Sequence, residues 1–493
     1  MGTDIPQKWR FRAGFILLTL LALRLLAMAV IPLNDTTEAR YAEIARKMLE
    51  SGDWVSLQQD YGLPFWAKPP LSTWLSAASM ALLGVNEFAA RLPALLLSLA
   101  SLGLVASLAR RHGGRDGALV AALLLASSLL FYISAGAVMT DPALAFAVTL
   151  SMVAFWRAMA RARPYWGYLF FVGLGLGLLA KGPLALVLVA LPIGPWLLLR
   201  GKLAACWKSL PWLRGTLLML LIALPWYAMA EMRTPGFLDY FIMGEHVHRF
   251  LDPGWRGDRY GFSHATPLGM IWIHAVSAWL PWSLAMLVWL FGRRQMIPAL
   301  LRHDGDGYLI YLALWSAMPL LFFSFSRNII WPYSLPMLPG FALLAAELWC
   351  RDHRPASGRA LPWLASISGV ALIAVCVVFV GWPERAGSSQ KRLVSAWQAQ
   401  QPGPHSSLLY WRARPAYSAA FYSAGRAKNV TDGGELLALL DNDSVDFIAL
   451  GPEQLQTLPP QIRDRFAEVG RLDNTSGPML LLREQRPQPL PAR

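Results

Sequence analysis

Repeated apolar segments of membrane-spanning length are the feature that most constrains this chain. Of its 493 residues, 55% are hydrophobic and only 15% are charged, whereas an average soluble domain has about 25% charged residues. A transmembrane helix requires about 20 consecutive, mostly apolar residues. Runs of this kind lie at about 12–32, 88–110, 116–138, 141–160, 165–179, 182–200, 213–231, 266–292, 307–325, 329–349 and 361–382. The sequence therefore predicts an all-α polytopic membrane domain with about eleven or more transmembrane helices.

The first apolar run has two interpretations. Lys8, Arg10 and Arg12 surround its start, and Ala27-Met28-Ala29 resembles the cleavage site of a secretory signal peptide. The run is long for the core of a signal peptide, however, and many further apolar runs follow it. We therefore expect an uncleaved first helix.

The links between the apolar runs predict which side of the membrane each one faces. With the N-terminus in the cytoplasm, every cytoplasmic link is basic and nearly free of acidic residues, as the positive-inside rule requires. The net charge of +14 then reflects topology, and no basic–aromatic patch indicates nucleic-acid binding. Loops 33–87 and 232–265 and the C-terminal residues 383–493 are expected on the outer side.

The outer segments nevertheless carry basic residues, on the side that the rule disfavours. They could extend to lipid headgroups, but several together favour anion binding. These residues are Arg40, Lys68, Lys181, Arg249, Arg256, Arg259 and Arg327.

The composition changes after residue 382. Aromatic residues become rare, and short strand-like segments near 406–410, 428–430, 445–450 and 479–482 alternate with helix-like ones. The sequence predicts two domains, a transmembrane domain over 1–382 and a soluble C-terminal α/β domain over 383–493.

Residues 34–70 form the only long polar interruption among the first hundred residues. Residues 37–48 have the pattern of an amphipathic helix, whose charges could simply face water at the membrane surface. In the segment that follows, Pro69 and Pro70 fix an extended backbone and hold Lys68 rigidly. A rigid lysine at a membrane surface is a suitable ligand for a phosphate.

Further polar residues lie in the outer turns. Asp141 precedes Pro142 at a helix start, where N-capping is the simpler explanation. In loop 232–265, Glu245, His246 and His248 could suggest a divalent metal, but their spacing matches no common zinc pattern. The sequence therefore indicates no metal and no cofactor.

Several segments resemble the GT-C glycosyltransferases that use polyprenyl-phosphate-linked sugars. The similarity is greatest to the aminoarabinose transferases of lipid A, and extends to the protein O-mannosyltransferases. The matching segments are Thr37-Glu38-Ala39-Arg40-Tyr41-Ala42-Glu43-Ile44-Ala45, Ser51-Gly52-Asp53-Trp54, Lys68-Pro69-Pro70-Leu71, residues 83–93, Ala180-Lys181-Gly182-Pro183, Glu245-His246-Val247-His248-Arg249-Phe250 and Tyr333-Ser334-Leu335-Pro336.

The resemblance implies an enzyme of the bacterial inner membrane with its active site and C-terminal domain in the periplasm. Such an enzyme moves a sugar from an undecaprenyl phosphate carrier to lipid A or another envelope glycolipid and inverts the anomeric centre. The family usually has an aspartate immediately before the glutamate, where this chain has Thr37. Either Asp35 or Glu38 could therefore supply the acidic group.

The resulting candidate site contains two groups of residues. The catalytic candidates are Asp35, Glu38 and Asp141; the candidates for binding the donor phosphate are Arg40, Tyr41, Lys68, His246, Arg249, Arg327 and Tyr333. Basic side chains suit a polyprenyl-phosphate leaving group better than a bound dication would.

Two alternatives share much of this pattern. The acceptor could be a protein, as in the O-mannosyltransferases. A transporter or flippase of lipid-linked sugars is less consistent, because transporters place polar groups near the midplane and often contain paired halves. Here the ionisable residues lie at the outer ends of the helices, and no repeat of one half in the other is recognisable.

Overall fold

The computed structural model describes residues 7–252, 254–261, 264–302, 304–352, 360–382, 387–413, 416–473 and 477–485. Its N-terminal part is helical apart from a short antiparallel hairpin of β1 (Gln58–Asp60) and β2 (Leu63–Pro64). A π-helical stretch covers Tyr240–His248, and 3₁₀ turns cover Arg294–Met296 and Trp331–Met337. The α-helices are α1 (Gln7–Val30), α2 (Thr37–Ser51), α3 (Leu71–Leu83), α4 (Glu87–Ala126), α5 (Leu129–Ser134), α6 (Asp141–Met159), α7 (Tyr165–Lys181), α8 (Leu184–Leu199), α9 (Leu203–Ser209), α10 (Trp212–Arg233), α11 (Phe237–Asp239), α12 (Arg249–Leu251), α13 (Met270–Ala278), α14 (Trp282–Arg293), α15 (Ile297–Arg302), α16 (Tyr308–Phe323), α17 (Leu338–Arg351) and α18 (Ala360–Gly381).

Five helices among the described residues are long and apolar enough to cross a membrane. A sixth span results if α13 and the helix after it, which meet at 102°, count as one broken helix. Other apolar helices, such as α7, α8 and α16, have fewer than 18 residues. Every predicted apolar run contains helix. Fewer than the predicted eleven helices are long enough to cross a membrane, however, because several of them have fewer than 18 residues.

The predicted runs at 88–110 and 116–138 are separated at Gly114. The backbone there is not helical (φ +65°, ψ −154°), so this residue divides α4 into two helical segments. The shorter α5 follows after a two-residue break. Gly114 can adopt this backbone conformation because it has no Cβ atom.

Helices α6 and α7 approach each other closely through small residues. A Cβ atom at Gly173 of α7 would lie 2.3 Å from the Oγ atom of Ser151 in α6. Membrane helices commonly use glycine, alanine and serine in this way, because packing rather than hydrophobic burial holds them together in lipid. Almost all of α6 is buried, so this pair forms the centre of the helical part.

The C-terminal residues contain a five-stranded sheet with the order β4-β3-β5-β7-β6. Strands β3 (Leu408–Trp411), β4 (Ala427–Val430) and β5 (Phe447–Leu450) are parallel to one another. Strand β7 (Met479–Glu484) is antiparallel to both of its neighbours, β5 and β6 (Phe466–Leu472). Buried residues form separate apolar clusters on its two faces. The accompanying helices are α19 (Lys391–Ala399), α20 (Tyr417–Tyr422), α21 (Gly433–Leu440) and α22 (Pro460–Arg463).

Candidate functional site

A cavity of about 170 Å³ lies where loops 33–87 and 232–265 meet the ends of the apolar helices. One part of its wall is polar and contains Lys68, Lys181, Glu245, Arg249 and Tyr333. The other part is apolar and is formed by Leu184, Val187, Phe250, Phe322 and Phe323. The cavity therefore combines a charged end with an apolar end, as an amphipathic ligand would require.

Lys68 is held in the cavity wall by its chain neighbours and by an ion pair. The side chain is 17% exposed, and its Nζ atom donates hydrogen bonds to the carbonyl of Ala67 at 2.6 Å and to Glu245 Oε2 at 2.9 Å. Burial disfavours the charged ammonium, but the attraction of Glu245 outweighs this effect and raises the pKa of Lys68. Lys68 is therefore a fixed cation at neutral pH.

Glu245 is the carboxylate on which Lys68 and Arg249 converge. Its side chain is only 3% exposed, and Arg249 donates to both of its oxygens at 3.0 and 3.2 Å. The Tyr240 hydroxyl also donates to Glu245 at 3.2 Å. Burial alone would raise the pKa of Glu245, but Lys68 and Arg249 lower it. A phosphate entering the cavity would compete with Glu245 for these two cations.

Lys181 and Asp141 form a second buried ion pair beside the cavity. The distance from Lys181 Nζ to Asp141 Oδ1 is 2.6 Å, and each side chain is 8% exposed. The ammonium also lies 4.5 Å from the centre of the Tyr333 ring. The carboxylate at the start of α6 therefore fixes a cation that faces the cavity.

His246 connects the π-helical stretch to the end of α7. Its Nδ1 lies 2.7 Å from the carbonyl oxygen of Phe241, and its Nε2 lies 3.1 Å from that of Lys181. Burial lowers the pKa of His246, although both carbonyls favour its charged form. The imidazole thus holds the backbone beside Lys181 in place.

Gly182 permits this close approach. Its φ is +71°, and a Cβ atom there would lie 2.6 Å from the Phe241 ring and 3.1 Å from the His246 ring. A side chain at this position would be strained in its backbone and would clash with an aromatic ring.

Replacing Gly182 with alanine should destabilise the protein. Backbone strain of this kind costs about 1–3 kcal/mol, and the Phe241 ring would also have to move. Gly194→Ala is a matched control, because no atom lies within 4 Å of a Cβ there. Thermal unfolding in detergent should show a lower midpoint for Gly182→Ala alone; equal midpoints would contradict the assigned packing.

The structure brings four of the predicted phosphate ligands together at the cavity, namely Lys68, His246, Arg249 and Tyr333. The other three lie elsewhere. Tyr41 packs edge-on against Phe65, next to the Lys68 segment. Arg40 donates to the carbonyl oxygen of Tyr260. Arg327 lines a separate, open surface depression.

Glu38 is not among the residues that line the cavity. Arg91 binds both of its oxygens at 2.8 Å, and the backbone N–H of Val138 donates to it at 3.2 Å. Arg91 also donates to backbone carbonyls at the end of α1. Glu38 and Arg91 therefore connect α1, α2, α4 and the segment before α6. An arginine inside the predicted apolar run 88–110 was the sequence signal for this partner.

Asp35, too, lies away from the cavity. The backbone N–H of Ser418 in α20 donates to Asp35 Oδ1 at 2.9 Å, and the Ser418 hydroxyl contacts Oδ2. The hydroxyl of Tyr422 accepts from the N–H of Leu33 at 2.8 Å. These contacts fasten the C-terminal sheet region to the loop of residues 33–87. No local pattern could reveal them, because the partners are more than 380 residues apart in sequence.

The stability of this connection should depend on pH. Burial raises the pKa of Asp35 from its ordinary 3.8 to about 6, although hydrogen bonds from Ser418 oppose the shift. The folded protein therefore holds this proton more tightly than the unfolded chain. The stabilisation is fully present below the ordinary pKa and is lost as the pH rises through about 6.

We expect the unfolding midpoint of the unmodified protein to fall between pH 5 and pH 7, by roughly 1 °C for each kcal/mol lost in a chain of 493 residues. Asp35→Asn should remove this part of the pH dependence, whereas the exposed control Asp441→Asn should keep it. Differential scanning fluorimetry over this pH range measures the effect. The assignment fails if the two variants give parallel curves.

Comparison with known proteins identifies the relatives of the chain. Residues 11–241 match the model of the family described as dolichyl-phosphate-mannose-protein mannosyltransferase. The chain is 33% identical over 352 residues to undecaprenyl phosphate-alpha-4-amino-4-deoxy-L-arabinose arabinosyl transferase 1 of Pseudomonas fluorescens, covering 68% of this chain and 58% of the relative. An arabinosyl transferase of Pseudomonas aeruginosa is 32% identical over 354 residues, covering 69% and 60%. The matched region thus spans less than two thirds of these relatives.

A solved structure has the same architecture over nearly the whole chain. ArnT from Cupriavidus metallidurans, in a crystal structure bound to undecaprenyl phosphate, superposes with a TM-score of 0.74 and 19% identity. The superposition covers 95% of this chain and 97% of that one. The chain therefore has the GT-C fold and is a relative of the undecaprenyl-phosphate aminoarabinose transferases and the protein mannosyltransferases.

Proposed function

We propose that this protein is an inverting glycosyltransferase that moves a sugar from undecaprenyl phosphate to lipid A or another envelope glycolipid. The observation that carries the proposal is the cavity at which Lys68 and Arg249 converge beside an apolar wall. Such a cavity fits a phosphate attached to a long hydrocarbon chain. The relatives' names and the ligand of the related crystal structure contain the same chemical group.

Lys68, Arg249 and the hydroxyl of Tyr333 bind the donor phosphate in this proposal. Negative charge accumulates on that phosphate as its bond to the anomeric carbon breaks, because the electron pair of the bond remains on the phosphate oxygen. Cations fixed beforehand beside the leaving group stabilise this charge without reorganising. The polyprenyl chain lies along the apolar wall formed by residues such as Leu184 and Phe322.

The acceptor oxygen attacks the anomeric carbon from the face opposite the departing phosphate, which inverts that centre. An acceptor phosphate is already anionic, so attack requires no general base. A hydroxyl acceptor would have to lose a proton to a carboxylate. Of the three carboxylates predicted as catalytic, Asp141 is paired with a residue that lines the cavity, Lys181. Asp35 and Glu38 position the surrounding elements.

We further infer the placement of the chain in the bacterial inner membrane. The cavity and the C-terminal sheet lie on the periplasmic side, and the short apolar helices complete a bundle of about eleven or more spans. Residues 1–382 form the transmembrane domain, and residues 383–493 form a soluble domain. The regular alternation of basic links in the sequence supports this orientation.

A protein hydroxyl is the alternative acceptor. The match of residues 11–241 to the protein mannosyltransferase family favours it. The cavity near Lys68 and Arg249 would bind the same donor in either case, so acceptor identity is a separate question from donor binding.

Transfer by the purified full chain in liposomes tests the proposal. The reaction contains an undecaprenyl-phosphate-linked aminopentose, no nucleotide sugar, and either a phosphorylated glycolipid or a serine-containing peptide as acceptor. Mass spectrometry should show a pentose-sized addition to the glycolipid and release of undecaprenyl phosphate. Addition to the peptide alone would favour the alternative, and transport of the donor without transfer would contradict both.

A further inference from the structure

A second cavity, of about 460 Å³, lies next to the cavity that contains Lys68. Aromatic rings of Trp66, Tyr240 and Trp255 form much of its wall, together with Arg259 and His248. Its volume is in the range of ordinary small-molecule sites. The residues assigned above to the donor phosphate do not line it.

The two cavities share their dividing wall. Trp66 lines the second cavity, and Lys68, two residues later, lines the first. In the same way, Gly244 lines the second cavity and the next residue, Glu245, lines the first. The hydroxyl of Tyr240, whose ring lines the second cavity, donates to Glu245 at 3.2 Å. A ligand of the second cavity would therefore lie beside the donor phosphate, where a transfer reaction requires its other substrate.

The position of Trp255 is fixed by glycines. A Cβ atom at Gly244 would lie 2.8 Å from the indole ring, and one at Gly257 would lie 2.4 Å from it. His248 stacks on the same indole at 6.2 Å between ring centres. The indole is thus held as part of a formed wall rather than as a loose surface side chain.

Arg259 is a cation of this cavity that has no acidic partner in the described part of the chain. Its guanidinium lies 4.7 Å from the Trp66 ring centre and 5.2 Å from that of Tyr240. Among the described residues, no carboxylate oxygen lies within 4.0 Å of it, whereas Arg249 in the neighbouring cavity contacts Glu245 and Asp258. The aromatic rings orient the guanidinium, and its hydrogen-bond donors remain available for an anion.

We propose that this second cavity binds the phosphorylated sugar end of the acceptor, with Arg259 contacting the acceptor phosphate. The inference rests on the proposed function and adds the acceptor site to it. Aromatic faces pack against the C–H faces of a sugar ring, while Asp239 and His248 can form hydrogen bonds with its hydroxyl groups. An unphosphorylated acceptor would leave Arg259 without its partner.

A binding experiment that uses no donor tests the site itself. Glucosamine 1-phosphate and glucosamine serve as soluble probes, and saturation-transfer NMR on the full chain in nanodiscs measures their affinities. The unmodified protein should bind the phosphorylated sugar at least about tenfold more tightly, the effect of one charge-assisted contact. Arg259→Ala should abolish this preference, and Arg259→Lys should restore part of it. Arg256→Ala, at an exposed position in the same loop, is the control and should keep it.

A kinetic experiment then separates this site from the donor site. With the phosphorylated glycolipid as acceptor, Arg259→Ala and Trp255→Ala should raise the KM for acceptor about tenfold or more and leave undecaprenyl phosphate binding unchanged. Vesicles with phosphatidylglycerol should not compete, since they offer an anionic headgroup without a sugar ring.

Three results would overturn the inference: equal affinity of the unmodified protein for both soluble probes, weaker undecaprenyl phosphate binding in Arg259→Ala, or full competition by phosphatidylglycerol. Failure of the proposed function would look different. In that case undecaprenyl phosphate would not bind, or no transfer would occur, while selective binding of the soluble sugar phosphate could still be measured.

Discussion

Replacing Lys68 with methionine should reduce sugar transfer by about 10²–10³-fold, the usual effect of removing one preorganised group that stabilises transition-state charge. Lys68 is held rigidly in the cavity wall and is 2.9 Å from Glu245. Removing its charge eliminates one of the two cations proposed to hold the leaving phosphate. Undecaprenyl phosphate binding should weaken at the same time, because the same contact serves the product.

Lys68→Met alone should also lower the stability of the protein. Without Lys68, Glu245 remains buried with Arg249 as its only close cation among the described residues, and an incompletely compensated buried charge destabilises a protein. Lys68→Met combined with Glu245→Gln removes both charges and should restore the unfolding midpoint. Transfer should stay low in this double variant.

Glu245→Gln alone provides the matched control. If Glu245 competes with the phosphate for the same cations, this variant should bind undecaprenyl phosphate at least as tightly as the unmodified protein. Isothermal titration in nanodiscs measures the affinities of the unmodified protein and the three variants for undecaprenyl phosphate. Near-normal transfer by the folded double variant would remove Lys68 from the phosphate site.

Breaking the buried pair of Asp141 and Lys181 should have the second large effect. The two side chains are 2.6 Å apart and 8% exposed. Removing one member of a buried pair typically costs about 3–5 kcal/mol, because the other charge is left without a partner. Lys181→Met should therefore unfold at a markedly lower temperature than the unmodified protein.

The double variant Asp141→Asn/Lys181→Met distinguishes a structural from a chemical role. It contains no unpaired charge, so most of the stability should return. Transfer should nevertheless remain at least about tenfold lower than in the unmodified protein, because Lys181, one of the cations that line the cavity, is absent. Recovery of both stability and transfer would show that the pair only supports the fold.

The predicted site residues that lie together in the structure are those whose motifs are local. Lys68 was identifiable because Pro69 and Pro70 fix its backbone, and Arg249 because it follows Glu245 and His246 on an outer loop. The structure places these residues at one cavity. A short local pattern determined each of these predictions, and the order of the apolar runs determined the side on which they were expected.

The roles of the carboxylates could not be predicted in the same way. Asp35 and Glu38 stand in the most recognisable motif, yet their partners are Ser418 and Arg91. Those contacts depend on how α4 and α20 pack against α2, and no periodicity within the loop encodes that packing. Strand β6 was not predicted. It is a half-buried edge strand, and its charged residues Glu468 and Arg471 interrupt the apolar pattern that indicates a strand.

The attachment of the C-terminal sheet region to loop 33–87 has a consequence for recombining related proteins. Ser418 hydrogen-bonds to Asp35, and Tyr422 hydrogen-bonds to Leu33. The two surfaces therefore form an interface that depends on residues from both segments. A chimera that takes its last hundred or so residues from a relative should assemble only if it also inherits that relative's first loop. A chimera should therefore exchange the C-terminal segment and the loop that contains Leu33 and Asp35 together.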